Sequence, residues 1–215
     1  MIAKSNWLRA TYLAEPLAFA AFVGMYIWHW QAEWPESWWV MAAWLVLSAA
    51  LRRDTPKTLG WRADNLWPAA RRAFLFFVPA AVTVCAAGMC LGALRRQPVH
   101  LLEPRRFAGY LAFCVLQQVA LNSFVANRLL RFFDGAWPAA ALAGMIFASL
   151  HWPNPVLVPL TLIGGVAMAW LFARERNILP LALGQAILGA LVWWAFPLAW
   201  HHSMRVGPGY WAFHL

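Results

Sequence analysis

Seven apolar stretches succeed one another along this chain, most of them near the ~20 residues a helix needs to cross a hydrocarbon layer. They lie near residues 14–31, 37–51, 73–94, 107–130, 137–151, 156–173 and 178–200. Inside a bilayer no water satisfies the peptide groups, so a spanning segment must pair its own backbone, which runs of this length do as helices. The fold class implied is all-α, a polytopic membrane protein with about seven transmembrane helices and a range of six to eight. The fifth run is short for a full crossing and is read as tilted, re-entrant or longer than its apolar part. An eighth element could hide between Leu59 and Arg72, which reads as an amphipathic segment lying in the interface.

The net charge of +9 would suggest nucleic acid if it lay on a soluble surface, but the 17 Lys and Arg residues are scattered over loops between apolar runs. No basic domain exists to make phosphate contacts, and nucleic-acid binding is excluded on that ground. The charges instead bear on orientation. With a cytoplasmic N-terminus, Lys4, Arg9, Arg52, Arg53, Lys57, Arg62, Arg71, Arg72, Arg128, Arg131, Arg174 and Arg176 collect on the cytoplasmic side. The positive-inside rule favours this arrangement, although Arg95, Arg96, Arg105 and Arg106 in LRRQPVHLLEPRR oppose it. The expected location is an integral, multi-pass membrane site, the inner membrane if the source is bacterial. Arg9, Glu15 and Pro16 interrupt the N-terminal run, so the first stretch is expected to remain as a helix rather than serve as a cleaved signal. Tryptophans at the proposed span ends, such as Trp28, Trp30, Trp38, Trp39, Trp193 and Trp194, suit an aromatic belt. The organisation expected is N-terminal helices over 1–56, a helical core over 57–200 and an aromatic tail over 201–215, within one compact domain. The tail, MRVGPGYWAFHL, is expected on the membrane surface or against a partner. His29, His201 and His202 read as interfacial.

Polar side chains break the apolar second half in three places: Gln117, Gln118 and Asn122; His151 with Asn154 in FASLHWPNP; and Gln185 in ILPLALGQAILGALVWW. A primary amide has two donors and a carbonyl acceptor, and leaving these unmet in hydrocarbon costs about 1 to several kcal/mol per group. The insertions therefore demand partners inside the protein. Gln118 and Asn122 are four apart and share a helix face with Cys114 one turn earlier. Convergence of the three insertions would tie three helices together by amide and imidazole hydrogen bonds. Helix packing alone, or a polar site, would account for such a cluster.

The residues that follow from this pattern resemble the CPBP or Abi family of intramembrane endopeptidases, which includes the CAAX prenyl proteases and bacteriocin-processing proteins. That family carries two glutamates followed after three residues by arginine, then FxxxH, then a histidine four positions before Asn or Asp. Here FASLH supplies Phe147 and His151, while KTLGWRAD and GGVAMAWLFARERNILPLALGQAI resemble the flanking segments, covering residues 57–192 in all. The resemblance implies a CPBP-like core with Gln117 and Gln118 at the glutamate pair, Asn122 at the arginine, Gln185 at the third-motif histidine and Gly189 at its Asn or Asp. In the family a glutamate would activate water while His, Asn and Asp stabilise the oxyanion. Glutamine cannot accept that proton, so the substitutions imply loss of the family's hydrolytic chemistry.

No other acid replaces the pair, because Glu15, Glu33, Glu36, Asp54, Asp64, Glu103, Asp134 and Glu175 all read as loop or span-end residues. A catalytic zinc wants about three His, Cys or carboxylate ligands, which His151 with Cys114 does not supply, so no metal or other cofactor is expected. Cys85, Cys90 and Cys114 sit in apolar runs without a CxxC pair and read as buried hydrophobes. The expectation is a non-proteolytic relative that binds a lipid-like or polypeptide ligand, or a partner membrane protein, through Gln117, Gln118, Asn122, His151, Asn154 and Gln185. The rivals are an enzyme using Cys114 or Ser149 with His151, and a purely structural subunit of a membrane complex.

Overall fold

The computed structural model describes residues 2–94 and 103–213, with side chains from Trp7 onward. Arg95 and Arg96, part of the orientation argument, lie outside the described residues, as does the side chain of Lys4. Among the described residues the structure is helical throughout, and seven longer helices fall on the seven apolar runs. They are α1 (Ile2–Met25, continued by a π turn at Tyr26–Trp30), α2 (Trp38–Leu51), α3 (Leu66–Cys90) and α4 (Pro104–Phe132). Then come α5 (Ala136–Ser149), α6 (Leu157–Glu175) and α7 (Leu179–Ala195). Four segments are long and apolar enough to cross a membrane: α1 with its extension, α3, α4 and α6; α5 and α7 are shorter apolar helices. Leu51, Val46, Leu75, Val82, Leu116 and Ile163 point outward at 64–82% exposure on their helices, a surface suited to lipid and not to water. The chain is an integral membrane protein of the all-α class.

Helix ends differ from the apolar boundaries where charge is neutralised locally. α1 begins at Ile2, twelve residues before the apolar run, because Arg9 binds Asp134 at 2.9 Å and donates through Nε to the Phe132 carbonyl at 3.0 Å. Glu15, expected at a span end, is consequently inside a helix. The stretch from Leu59 to Arg72 is no separate element: Leu59 ends a one-turn helix, Pro56–Leu59, and Leu66 starts α3. Thr55 and Thr58 form a capping box on that short helix, and Gly60 closes it with φ +85°, a conformation glycine adopts without penalty. α7 stops at Ala195, short of residue 200, and Leu198–His201 forms a separate turn of helix.

Close packing of α5 on α6 relies on small residues. A Cβ built on Gly165 would lie 3.0 Å from the Cα of Gly144, so the backbones touch in the way small-residue interfaces allow in membranes. α7 packs on α3 and α4, and α1 runs along the last turns of α4. Hydrogen bonds pin the 55–65 loop under the bundle. Ser123 of α4 donates to the Leu59 carbonyl at 2.5 Å, Asn177 donates to Arg62 O at 2.8 Å and to Asn65 Oδ1 at 2.9 Å, and the Ile178 amide donates to Gly60 O at 3.0 Å. This holds α4 and α7 side by side, which is what the site requires.

The tail does not lie free on the surface. His201 is fully buried and Tyr210 nearly so, the Gly207 amide donates to Trp152 O at 2.9 Å, and the His202 ring stacks on Tyr210 at 4.0 Å.

Candidate functional site

Cys114, Gln118 and Asn122, four residues apart on α4, are all fully buried. Directly after Gln118 the helix widens into a π segment, Val119–Ala126, a rare geometry that concentrates at functional sites. The Asn122 amide donates to Gln118 Oε1 at 2.5 Å. Gln118 Nε2 in turn donates to Gln185 Oε1 on α7 at 2.6 Å and to the Met168 sulfur on α6 at 3.0 Å. Gln185 Nε2 then donates back to Gln117 Oε1 on α4 at 2.6 Å. Four amides thus form one unidirectional ladder from the buried core outward. At its inner end Asn122 Oδ1 is buried without a partner; at its outer end the Gln117 amide nitrogen has no protein acceptor among the described residues.

The outer end opens on a cavity of about 190 Å³. Gln117, Gln185 and His151 line it with Thr161 and the Tyr110 ring; the remaining walls are apolar, from α3, α4, α6, α7 and the tail residues Met204 and Val206. His151 lies 2.7 Å through Nδ1 from the Phe147 carbonyl, and its ring meets the Phe147 ring edge-on at 4.7 Å. The four-residue spacing of FASLH is what brings ring nitrogen and carbonyl together. A carbonyl can only accept, so Nδ1 carries the proton and the neutral ring keeps its lone pair on Nε2. No carboxylate lines the cavity, and among the described residues no three of His, Cys, Asp and Glu gather in a metal-holding group.

Some expected site residues lie elsewhere. Asn154 does not join the amides: it is fully buried under the tail, donating to the His201 and Arg205 carbonyls at 2.8 and 2.9 Å. Ser149 is exposed and its hydroxyl donates to Ile146 O on its own helix at 2.8 Å. Cys114 is buried against Tyr110 and is not part of the cavity wall. Neither Cys114 nor Ser149 shares His151's cavity, so the nucleophile pairings expected from sequence are not assembled. Sequence reasoning missed Tyr110, Met168 and the tail residues Met204 and Val206, which line the same cavity as Gln117 and lie 7 to 89 residues from it; nothing in their local sequence marks them. The Tyr110 hydroxyl occupies the space where a side chain at Gly189 would project.

Residues 105–191 match the family model described as type II CAAX prenyl endopeptidase, Rce1-like. The chain is a membrane protein, and this segment of it is similar to the CPBP family. No curated protein and no solved structure gives a match. The CPBP segment contains the whole amide ladder and His151, but not the tail that completes the cavity wall.

Placing Asn at 189, as the CPBP third motif would have it, must displace Tyr110. Gly189→Asn is expected to destabilise the protein by about 1–3 kcal/mol through overpacking. In the Tyr110→Leu background the same substitution should cost clearly less, measured by unfolding in mixed detergent. Equal costs in the two backgrounds would show that Tyr110 does not fill that space.

Proposed function

We propose that this CPBP-family membrane protein is a non-proteolytic relative that binds an apolar, lipid-like ligand in the cavity beside Gln117 and His151. The observation that carries the reading is the amide ladder. The positions that the resemblance equates with the family's glutamate pair hold two neutral amides, bonded to a third at the third-motif position, and no acid reaches the cavity to activate water. Neutral amides are cheaper to bury than carboxylates, so the cluster ties α4, α6 and α7 together while leaving open space next to it. An open cavity with two unpartnered polar atoms favours binding over a purely structural subunit, for which a closed cluster would suffice.

Two measurements test this. The purified chain should cleave neither a prenylated CAAX peptide nor a general peptide library, and mass spectrometry of the protein in mild detergent should find a stoichiometric lipid. Restoring the family residues with Gln117→Glu, Gln118→Glu and Gln185→His together should lower the thermal midpoint in detergent, because two carboxyl groups then share a buried site built for amides. Cleavage by the parent protein, or a triple variant melting at or above the parent, would overturn the reading.

A further inference from the structure

The ligand's polar end can be specified from the two atoms left unpartnered at the cavity. Gln117 Nε2 has hydrogens to donate and no acceptor among the described residues, and its carbonyl already accepts from Gln185. Acceptance through the carbonyl polarises an amide and strengthens its N–H as a donor, so the ladder of Asn122, Gln118 and Gln185 feeds this one group. His151 Nε2 presents the opposite capacity, since the proton is held on Nδ1 by the Phe147 carbonyl. One donor and one acceptor therefore face a cavity whose lining contains no Arg, Lys, Asp or Glu. A phosphate or carboxylate would find no counter-charge there, and an ammonium group no anion, so burying either would carry a large desolvation cost. A hydrocarbon end would leave donor and acceptor unmet. A hydroxyl satisfies both, accepting from Gln117 and donating to His151. The rest of the wall is apolar, and Phe113, which lines the cavity, is 52% exposed on the outer surface of α4, so the cavity reaches the lipid-facing side.

Resting on the binding reading above, we propose that the cavity takes a single-chain lipid ending in a hydroxyl group, held between the Gln117 amide and the His151 imidazole. The chain passes between α4 and α7 toward the bilayer, and Met204 and Val206 of the tail cover the side opposite the ladder.

The test uses the full chain in phosphatidylcholine nanodiscs and a sixteen-carbon alcohol carrying a photoreactive diazirine near its far end, with labelled peptides mapped by mass spectrometry. Label is expected on segments of α4, α6 and α7 lining the cavity, and 1-hexadecanol should compete at least tenfold better than its methyl ether, than hexadecane or than palmitate. Gln117→Met and His151→Leu should each reduce labelling at least fivefold while the thermal midpoint stays within a few degrees of the parent. If the ether or the hydrocarbon competes equally, or palmitate competes better, the hydroxyl assignment is wrong while ligand binding stands. If no probe labels the cavity, both readings fall. Should either variant unfold, the competition series on the parent decides alone: the alcohol must still outcompete its ether, the hydrocarbon and palmitate tenfold, and failure to do so overturns the hydroxyl assignment.

Discussion

Replacing Arg128 by leucine is expected to cost about 3–5 kcal/mol, the range for removing one partner of a buried ion pair. Arg128 is fully buried in the last third of α4, donates a hydrogen bond through Nη2 to Ser48 at 2.8 Å, and forms ion pairs through Nη1 with Asp54 at 2.7 Å and through Nε with Glu15 at 3.5 Å. The Asp54 side chain is itself fully buried and also pairs with Arg131, while Glu15 accepts from Ser48 at 2.5 Å and from Arg52 at 3.1 Å. Three helices and the turn after α2 meet at this single guanidinium. Leucine would fill much of the volume yet leave the fully buried Asp54 and the partly buried Glu15 each short of a partner. Arg128→Lys should recover only part of the loss, because a point ammonium cannot serve three acceptors in a planar fork. Unfolding in mixed detergent measures the effect. Asp54→Asn should cost less in the Arg128→Leu background than in the parent, since that background has already lost the charge Asp54 was paired with. A leucine variant within 1 kcal/mol of the parent would mean that the network is a surface decoration.

That network shows where sequence legibility ended. The seven apolar runs of the chain became its seven longer helices, because hydrocarbon leaves the backbone no alternative over such lengths. The shared face of Cys114, Gln118 and Asn122 was also legible, since a spacing of four is local helix geometry. The four-residue spacing of FASLH likewise places His151 beside the Phe147 carbonyl through local helix geometry. Glu15, Asp54 and Arg128 were not legible as a unit: they are 39 and 74 residues apart in order, and only the packing of α1 against α4 unites them. Each looked like an isolated charge near a span end. Tyr110 illustrates the second limit. Its significance comes from the missing side chain at Gly189, a relation between two helices that neither segment announces. Asn154 illustrates a third, because an asparagine three residues after a motif histidine reads as part of the site, while its four partners lie in the tail and in the start of α6.

Asn154→Ala is expected to release the tail and destabilise α6 at once, for a total of about 3 kcal/mol or more, given roughly 1–2 kcal/mol for a lost cap and 1–3 for each buried polar group left unmet. The Asn154 Oδ1 accepts from the Val156 and Leu157 amides at 3.1 and 3.0 Å, capping α6, while Nδ2 donates to the carbonyls of His201 and Arg205. The segment it holds is strained: His202, Ser203 and Met204 have φ of 42°, 55° and 64°, a left-handed run that non-glycine residues adopt at a cost of about 1–2 kcal/mol each. The His202 ring, stacked on Tyr210 and 2.8 Å through Nδ1 from its carbonyl, and the anchors at His201 and Arg205 together hold three such residues in succession. With the anchors gone, Met204 and Val206 should leave the cavity wall, and limited proteolysis should cut between residues 201 and 207 in the variant but not in the parent. Asn154→Asp separates the two roles, because it keeps the acceptor that caps α6 and loses the donors that hold the tail. It should therefore show the proteolytic sensitivity while α6 keeps its cap, and its total loss of stability should be at least that of the alanine, because a buried carboxylate then faces two carbonyls. A tail that stays protected in both variants would mean that the Gly207 bond to Trp152 and the His202–Tyr210 stack hold it alone, and that Asn154 serves α6 only.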